Sequence, residues 1–425
     1  MKQLIVLGNG FDIACGLKSS YSDFFLMRFN ELLGTQCKDF KEMTPHLENK
    51  RNHIIQSIER TKNSINFSPD ENRDCDYFKV NSSKWSEKVD LNRWDIFFLF
   101  AESWVGKDVG LYEWQDVESI IYEVISIALG CKYESKISYK DEVDLIGGSQ
   151  HGKEAFAKLV YNISYVDYNR HSEISVELFS ELKKFETIFS RYIANQFSID
   201  DCNSEYIKSA ISLYEGISQY SENKKITEND QIDVLSFNYS LDEGFIKTID
   251  KKINDVRLKS WSNIHGIAHH SVTPYYPSPI FGIDNHGIVS QTNQDEYRIL
   301  FTKPYRVIDE GINEIRYSNG YVAKDLISIY GHYSLGRADY SYFETIFDEN
   351  NLYSSDCKIK YYYYPGKDEI EKVMKRREAI TKLYNLLTDY GRTLSAAHGA
   401  NIINRLNLEN RISVIPSDIF QKKNR

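Results

Sequence analysis

The sequence predicts an α/β fold, with a mostly parallel β-sheet flanked by helices and interrupted by a large, mainly helical insertion. Short apolar runs typical of buried strands occur at the start of the chain and again beyond residue 230. Segments with a helical period of apolar side chains lie between and after these runs. Strands that alternate with helices pair in parallel, because each crossover helix returns the chain to the same end of the sheet.

The predicted strands are short runs, most of which end at a turn-forming residue. The first run stops at Gly8, a later one at Asn238, and the last at Pro365. The segment 278–283 shows the weakest strand pattern. The full set of predicted strands comprises residues 3–7, 232–237, 278–283, 325–330 and 358–364.

Amphipathic helices are predicted where apolar side chains recur on one face. These segments are residues 113–129, 173–194 and 368–389. Residues 35–110 are polar and contain no clear strand, so we interpret them as part of an insertion.

These elements predict a Rossmann-like core that is discontinuous in sequence. The core comprises residues 1–30 and 231–365, and residues 31–230 form a mainly helical insertion or cap. The C-terminal region, 366–425, is expected to be helical and to pack on the core.

The composition excludes several classes of protein. With 41% hydrophobic residues the chain is not disordered, and a formal charge of −9 without a long basic stripe disfavours nucleic acid as a partner. No stretch approaches the roughly 18 apolar residues of a membrane span. The 6 cysteines form no Cys-x-x-Cys pair, which indicates reduced thiols in a cytoplasmic protein.

Candidate ligand-binding residues follow the predicted strands, since ligands of open α/β sheets bind beyond the carboxyl ends of the strands. After the first strand comes Gly8-Asn9-Gly10-Phe11-Asp12, where glycines allow the backbone to approach a diphosphate closely. The full Gly-x-Gly-x-x-Gly pattern is absent, so an ordinary strand-to-helix turn is the alternative interpretation. This segment makes the predicted core a candidate nucleotide-binding domain.

Polar residues also follow the next predicted strand. Asn238, which precedes Tyr239, is able to donate and accept hydrogen bonds, which suits a ribose hydroxyl or an ordered water. His265, beside Gly266 in a predicted loop, is a candidate general base near neutral pH. The alternatives are a turn-forming asparagine and a structural histidine.

The segment from Gly331 to Asp339 follows another predicted strand and contains His332 and Ser334. A glycine, a small hydroxyl and a carboxylate are suitable contacts for a nucleotide. Asp339 is alternatively the N-cap of a following helix. No metal site is predicted, because the histidines and acids between residues 265 and 286 lack HExxH or facial-triad spacing.

Taken together, the order of these segments resembles the AbiH family of bacterial proteins linked to abortive infection by phage. One departure from the family's Gly-His-Ser-Leu-Gly pattern is Tyr333, which stands between His332 and Ser334 and implies a loop longer by one residue. The similar blocks are residues 4–25, 114–118, 235–239, 264–266 and 331–343.

The same order of motifs also resembles, more distantly, sirtuin-like defence proteins that hydrolyse NAD. That resemblance implies that Asn238 holds the nicotinamide ribose or positions water, and that His265 acts on a ribose hydroxyl or on that water. It implies phosphate contacts at Gly8, Gly10 and Ser334 and a ribose contact at Asp12 or Asp339. The remaining residues of the expected nucleotide site are Asn9, Phe11, Tyr239, Gly266, Gly331 and His332.

The resemblances imply an anti-phage protein that binds a small-molecule nucleotide and hydrolyses NAD, or a related nucleotide, to arrest infected cells. No permanently bound cofactor is expected, and NAD is the expected ligand. Two alternatives stay open: a metal-dependent nuclease in which Asp12 and Asp339 share Mg²⁺, and a non-catalytic, nucleotide-gated phage sensor. A phage-encoded trigger protein and further copies of the chain are candidate partners, whereas a membrane is not.

Overall fold

A computed structural model of the protein describes two compact units, each considered by itself. The sheet unit comprises Met1–Ser19, Phe189–Ile280 and Arg306–Arg425, and the helical unit comprises Ser20–Ile188 and Phe281–Tyr305. The three regions inferred from the sequence remain a prediction. Within both units, the residues that the structure describes are 1–64, 92–104, 114–130, 160, 171–199, 201, 203–219, 230–268, 279–283, 297–312, 320–331, 339–399 and 401–417.

The sheet unit contains a 6-stranded sheet in the order β3-β2-β1-β4-β5-β6, in which every adjacent pair is parallel. This sheet, flanked by helices, confirms the predicted α/β fold. β1 is apolar because it lies in the middle, where both of its faces are covered. The strands are β1 Lys2–Leu7, β2 Gln231–Ser236, β3 Leu258–Asn263, β4 Leu326–Tyr330, β5 Lys358–Tyr363 and β6 Ile412–Pro416.

Helices connect most of the consecutive strands of the described chain. α6, His171–Ala194, begins in the helical unit and ends in the sheet unit, and α9, Lys303–Asp309, likewise crosses a unit boundary. The helices that belong wholly to the sheet unit are α1 Asn9–Ala14, α7 Glu205–Gln219, α8 Gly244–Ile253, α10 Tyr340–Glu349, α11 Glu369–Thr393, α12 Ala396–Gly399 and α13 Ile402–Leu408.

Alternate side chains of the strands pack on opposite faces of the sheet. On one face, Val6 and Ile329 belong to a buried cluster with Phe347 of α10 and Leu387 of α11. On the other face, the Gln3 amide donates hydrogen bonds to the Ile217 carbonyl of α7 at 3.2 Å and to Ser328 Oγ at 2.9 Å. Helices therefore cover both faces of the sheet.

Some predicted elements differ from the structure. The predicted strand at 278–283 does not form in its described part, 279–283, where Ile283 makes only an isolated bridge to Thr302. The strands β3 and β6 were not predicted. The polar stretch 35–110 contains two helices of the helical unit, α3 Phe40–Ser64 and α4 Arg93–Trp104.

The helical unit has an aromatic core. Phe25 packs against Phe98, with ring centroids 4.8 Å apart, and Phe185 lies 5.2 Å from Phe98. The buried guanidinium of Arg28 donates hydrogen bonds to both carboxylate oxygens of Asp95, at 2.9 and 2.7 Å. The remaining helices of this unit are α2 Tyr21–Leu33 and α5 Trp114–Gly130. None of the described helices combines the length and hydropathy needed to cross a bilayer.

Candidate functional site

The carboxyl ends of the central strands lie at one edge of the sheet unit. Leu7 of β1 pairs in register with Ser236 of β2 and Tyr330 of β4, and Ser236 pairs with Asn263 of β3. The strand order reverses between β1 and β4, because the chain builds β1 to β3 towards one side and β4 to β6 towards the other. That reversal is the topological switch point at which open α/β sheets bind ligands.

The Gly8 turn leads from β1 directly into α1 at this switch point. The Gly8 N–H donates to the Tyr330 carbonyl at 2.9 Å, and the Phe11 N–H donates to the Gly8 carbonyl at 2.9 Å. Gly8 has φ −100° and ψ 174°, and Gly10 is helical. The turn therefore has the shape of an ordinary strand-to-helix connection, and it does not need the positive φ that glycine allows.

Two residues of the turn make internal contacts. The Asn9 amide donates to the Ser19 carbonyl at 3.1 Å, and Ser19 Oγ donates back to Asn9 Oδ1. The Phe11 ring is completely buried and packs edge-on against Tyr330, with ring centroids 5.9 Å apart. These side-chain contacts fix the shape of the turn.

Asp12, in the first turn of α1, is a buried carboxylate that accepts hydrogen bonds from two hydroxyl groups. Tyr206 of α7 donates to Oδ1 at 2.7 Å, and Ser240 donates to Oδ2 at 2.6 Å. Burial raises the pKa of Asp12 from 3.8 to about 6, although hydrogen bonds from Ser240, Tyr206 and the Asn238 amide oppose the rise. Asp12 is only 2% exposed, so the predicted ribose contact would require the side chains around this carboxylate to move.

Asn238 lies in a loop whose backbone is fixed by several hydrogen bonds. Its N–H donates to Ser236 Oγ at 3.1 Å, and its carbonyl accepts from Asn263 Nδ2 at 2.8 Å. Asn263 Nδ2 also reaches the Leu241 carbonyl at 2.9 Å, and the Ala268 N–H donates to the Tyr239 carbonyl at 2.7 Å. The loop therefore fixes the backbone of Asn238, as a preorganised binding residue requires.

The side-chain oxygen of Asn238 has no hydrogen-bond partner among the residues that the structure describes. Asn238 is only 4% exposed, and so Oδ1 is shielded from bulk water. A buried acceptor without a hydrogen bond destabilises the folded state by about 1–3 kcal/mol. In native proteins such a group is usually explained by a ligand, an ordered water or a functional role.

His265 lies beyond β3, close to the carboxylate of Asp339. His265 Nε2 is 3.9 Å from Asp339 Oδ1, and the imidazole is 1% exposed between the rings of Phe237 and Tyr342. Gly266 follows with φ 86°, a left-handed conformation that favours glycine. Asp339 occupies the N-cap position of α10, as the alternative interpretation has it, but its side chain makes no capping hydrogen bond.

The remaining residues of the predicted nucleotide site make structural contacts or lie outside the described part of the chain. The Tyr239 hydroxyl donates to the Ile280 carbonyl at 3.2 Å, which is a structural role. Gly331 follows β4, and its carbonyl accepts from the Tyr361 hydroxyl at 3.0 Å. His332, Tyr333 and Ser334 lie outside the described residues, so the extra residue of that loop stays a prediction.

Sequence reasoning missed the groups that surround Asp12 and Asn238. Ser240 directly follows the predicted Asn238-Tyr239 pair, and a hydroxyl so close to a candidate site was a usable signal. Tyr206 and Asn263 gave no usable signal in the sequence. Tyr206 lies on a helix that is far from Asp12 in the sequence, and Asn263 ends a strand that was not predicted. Within the described ranges, no group of three or more histidines, cysteines and acids is placed to hold a metal ion.

Comparison with known proteins identifies the family of the chain. No curated protein and no solved structure matches it. A family model described as bacteriophage abortive infection AbiH matches residues 4–363, a span that runs from β1 to the end of β5 and includes every residue of the candidate site. The chain therefore belongs to the AbiH family, whose description indicates defence against bacteriophage by abortive infection.

Proposed function

We propose that this protein binds NAD, or a closely related nucleotide, and hydrolyses it during phage infection. One observation carries the proposal: the Asn238 oxygen, which has no hydrogen-bond partner in the described part of the chain, and the His265–Asp339 pair lie at the carboxyl edge of one parallel sheet. Depletion of a shared cofactor would arrest the infected cell, which is how an abortive infection protein limits a phage.

The order of the strands supports a nucleotide as the ligand. The order 3-2-1-4-5-6 is that of dinucleotide-binding Rossmann folds, in which the pyrophosphate lies over the turn after the first strand. Here that turn is Gly8–Gly10. A nucleotide bound in this way would extend its sugar along the same edge, towards the residues that follow β2 and β3.

The proposed reaction breaks the bond between C1′ of the ribose and the nicotinamide nitrogen. The bonding electrons leave with nicotinamide, whose ring nitrogen becomes neutral, and a water oxygen forms the new bond to C1′. The proton lost by that water passes to a base, so the products are ADP-ribose, nicotinamide and a proton. The protein has to orient the water or the sugar and to accept the proton.

Asn238 and His265 suit these two tasks. The Asn238 oxygen is able to accept a hydrogen bond from the attacking water or from a ribose hydroxyl. His265 would accept the proton, and the Asp339 carboxylate at 3.9 Å would stabilise the resulting imidazolium by charge attraction. At this distance the pair makes no direct hydrogen bond, and substrate binding would bring the two groups closer.

The test is to incubate the purified protein with NAD, alone and with phage lysate, and to measure free nicotinamide. We expect Asn238→Ala and His265→Ala to lower nicotinamide release by at least about 10²-fold and to abolish protection in cells. Asn52→Ala and His53→Ala are matched controls, because both residues are exposed on α3 and should leave activity unchanged.

Two results would overturn the proposal. One is the absence of nicotinamide release by the wild-type protein under every triggering condition. The other is full protection in both site variants. If NAD raises the melting temperature without forming product, the protein is instead the nucleotide-gated sensor of the alternative hypothesis.

A further inference from the structure

One side chain, that of Asn263, binds two backbone carbonyl groups in the segment that carries Asn238. Asn263 is the last residue of β3, and its Nδ2 donates to the Asn238 carbonyl at 2.8 Å and to the Leu241 carbonyl at 2.9 Å. Both hydrogens of the amide are thus engaged, because the NH₂ group of asparagine has two to donate. Asn263 therefore closes the turn of residues 238–241 at its first and at its last residue.

Backbone hydrogen bonds join the same two segments. The Ile264 N–H donates to the Ser236 carbonyl at 3.0 Å, directly beyond the last paired residues of β2 and β3. Further on, the Ala268 N–H donates to the Tyr239 carbonyl at 2.7 Å. These two bonds lie on either side of His265 in the sequence, so the segment that carries the histidine is attached at both ends to the segment that follows β2.

We propose that Asn263 is a positioning residue, which sets the place of Asn238 relative to His265. Asn263 precedes His265 by two residues and binds the carbonyl of Asn238, so a displacement of one group is transmitted to the other. Because Asn263 is only 7% exposed, water competes little for its amide hydrogens. This inference rests on the proposed function for the reaction that Asn238 and His265 carry out, but not for the contacts of Asn263.

The contact requires a hydrogen-bond donor and not only a side chain of the right volume. Two carbonyl oxygens converge on Asn263 Nδ2, and these oxygens repel each other unless a donor lies between them. Asn263→Asp keeps the shape of the side chain but places acceptors against both carbonyls, so it should open the turn. Asn263→Ala removes the donor and leaves both carbonyls without this partner. Each substitution displaces the backbone of Asn238 without removing either reacting side chain.

The contact is testable without any ligand, by hydrogen exchange of the Ala268 N–H, which bonds to a carbonyl inside the closed turn. Exchange of this amide should be at least about tenfold faster in Asn263→Ala and in Asn263→Asp than in the wild type, because the loop opens more often. Asn385→Asp, the same substitution at an exposed position of α11, is the matched control and should exchange like the wild type.

The role in the reaction is tested at a temperature at which all variants are folded. Asn263→Ala should lower kcat for NAD cleavage by about 10²-fold, the effect of misplacing a reacting group by about 1 Å, and should change KM much less. In protein that already carries Asn238→Ala, the same substitution should have little further effect, because Asn263 acts through Asn238. A purely structural role predicts instead an equal loss in both backgrounds.

The outcomes separate this inference from the proposed function. Unchanged exchange of the Ala268 N–H in Asn263→Ala would overturn the positioning role, and so would independent losses of kcat in the double variant. If the wild type binds NAD without cleaving it, the same pair of substitutions is compared by calorimetry. Coupling in the dissociation constant, together with faster exchange, would then support the positioning role and reject only hydrolysis. A wild type that neither binds nor cleaves NAD would overturn the proposed function and, with it, the role of Asn263 in the reaction.

Discussion

At the scale of single residues, Asp12 makes the stability of the protein depend on pH. Its pKa is about 6 in the folded state and 3.8 in the reference state, so between these values the folded protein binds more protons than the unfolded chain. Asp12 therefore contributes its full stabilisation below about pH 3.8, and this stabilisation is lost as the pH rises through about 6. The stabilisation lost amounts to about 3 kcal/mol.

Asp12→Asn removes this titration. We expect the melting temperature of the wild type to fall, relative to that of the variant, as pH rises from about 5 to about 8. The loss of charge-assisted bonds from Tyr206 and Ser240 adds an offset that does not depend on pH. Melting curves recorded across this range test the prediction, and parallel pH profiles of the two proteins would contradict it.

Asp339 gives a second prediction at this scale. Asp339→Asn keeps the shape of the side chain but removes the charge that lies 3.9 Å from His265. If His265 accepts the proton, kcat for NAD cleavage should fall by about tenfold, with little change in KM, because the imidazolium forms only during the reaction. Steady-state kinetics would measure the effect, and a change confined to KM would instead indicate a role in ground-state binding.

The place of Asn238 was predictable, because it follows the predicted strand β2 and the rule for open sheets places such residues at the carboxyl edge. His265 follows β3, which was not predicted, so that rule could not place it from the sequence. The role of Asp12 was not predictable, since it depends on Tyr206, which is 194 residues away in the sequence. A hydrogen bond between such distant residues leaves no pattern in a single sequence.

At the scale of elements, the more deeply a strand is buried, the more clearly its sequence predicts a strand. β1, β2, β4 and β5 are almost wholly buried and read as apolar runs. The two edge strands have one neighbour each, and so their sequences, Leu-Lys-Ser-Trp-Ser-Asn in β3 and Ile-Ser-Val-Ile-Pro in β6, are mixed and were missed.

The contact between α11 and α12 depends on two glycines. A Cβ atom at Gly391 would lie 2.7 Å from the carbonyl oxygen of Gly399, which is part of the backbone and has little freedom to move away. Gly391→Ala should therefore destabilise the sheet unit by about 1–3 kcal/mol, as overpacking does. The higher helix propensity of alanine offsets part of this cost.

Thermal denaturation of Gly391→Ala tests this close approach. Thr381→Ala is the matched control, because Thr381 is exposed on the same helix and alanine is the better helix former there. A melting temperature of Gly391→Ala at or above that of Thr381→Ala would show that the two helices separate without cost.

At the scale of the whole molecule, the sheet is completed by a strand outside the span of the family match. That span ends at residue 363, yet β5 pairs along its length with β6. The Arg411 guanidinium donates to the Leu352 carbonyl at 2.8 Å, and the Tyr330 hydroxyl lies 3.0 Å from Ser417 Oγ. These contacts tie the last described residues to the central strand β4.

Removal of residues 401–425 should therefore damage the whole sheet unit. The truncated protein would expose the backbone edge of β5, which promotes pairing between molecules, and so we expect a lower melting temperature and aggregation. Size-exclusion chromatography and thermal denaturation would measure both. Ser417→Ala, which removes a single hydrogen bond, should cost only about 1 kcal/mol. A monomeric truncated protein with the original melting temperature would contradict the prediction.

The central place of β1 has a consequence for how the protein is made. β1 leaves the ribosome before the rest of the sheet, but its neighbours are β2, which begins at Gln231, and β4, which begins at Leu326. β1 therefore cannot pair with a strand close to it in the sequence, and the apolar segment Leu4–Leu7 stays unpaired until β2 and β4 have been synthesised. Such a high contact order implies slow folding after synthesis and a dependence on chaperones that shield this segment.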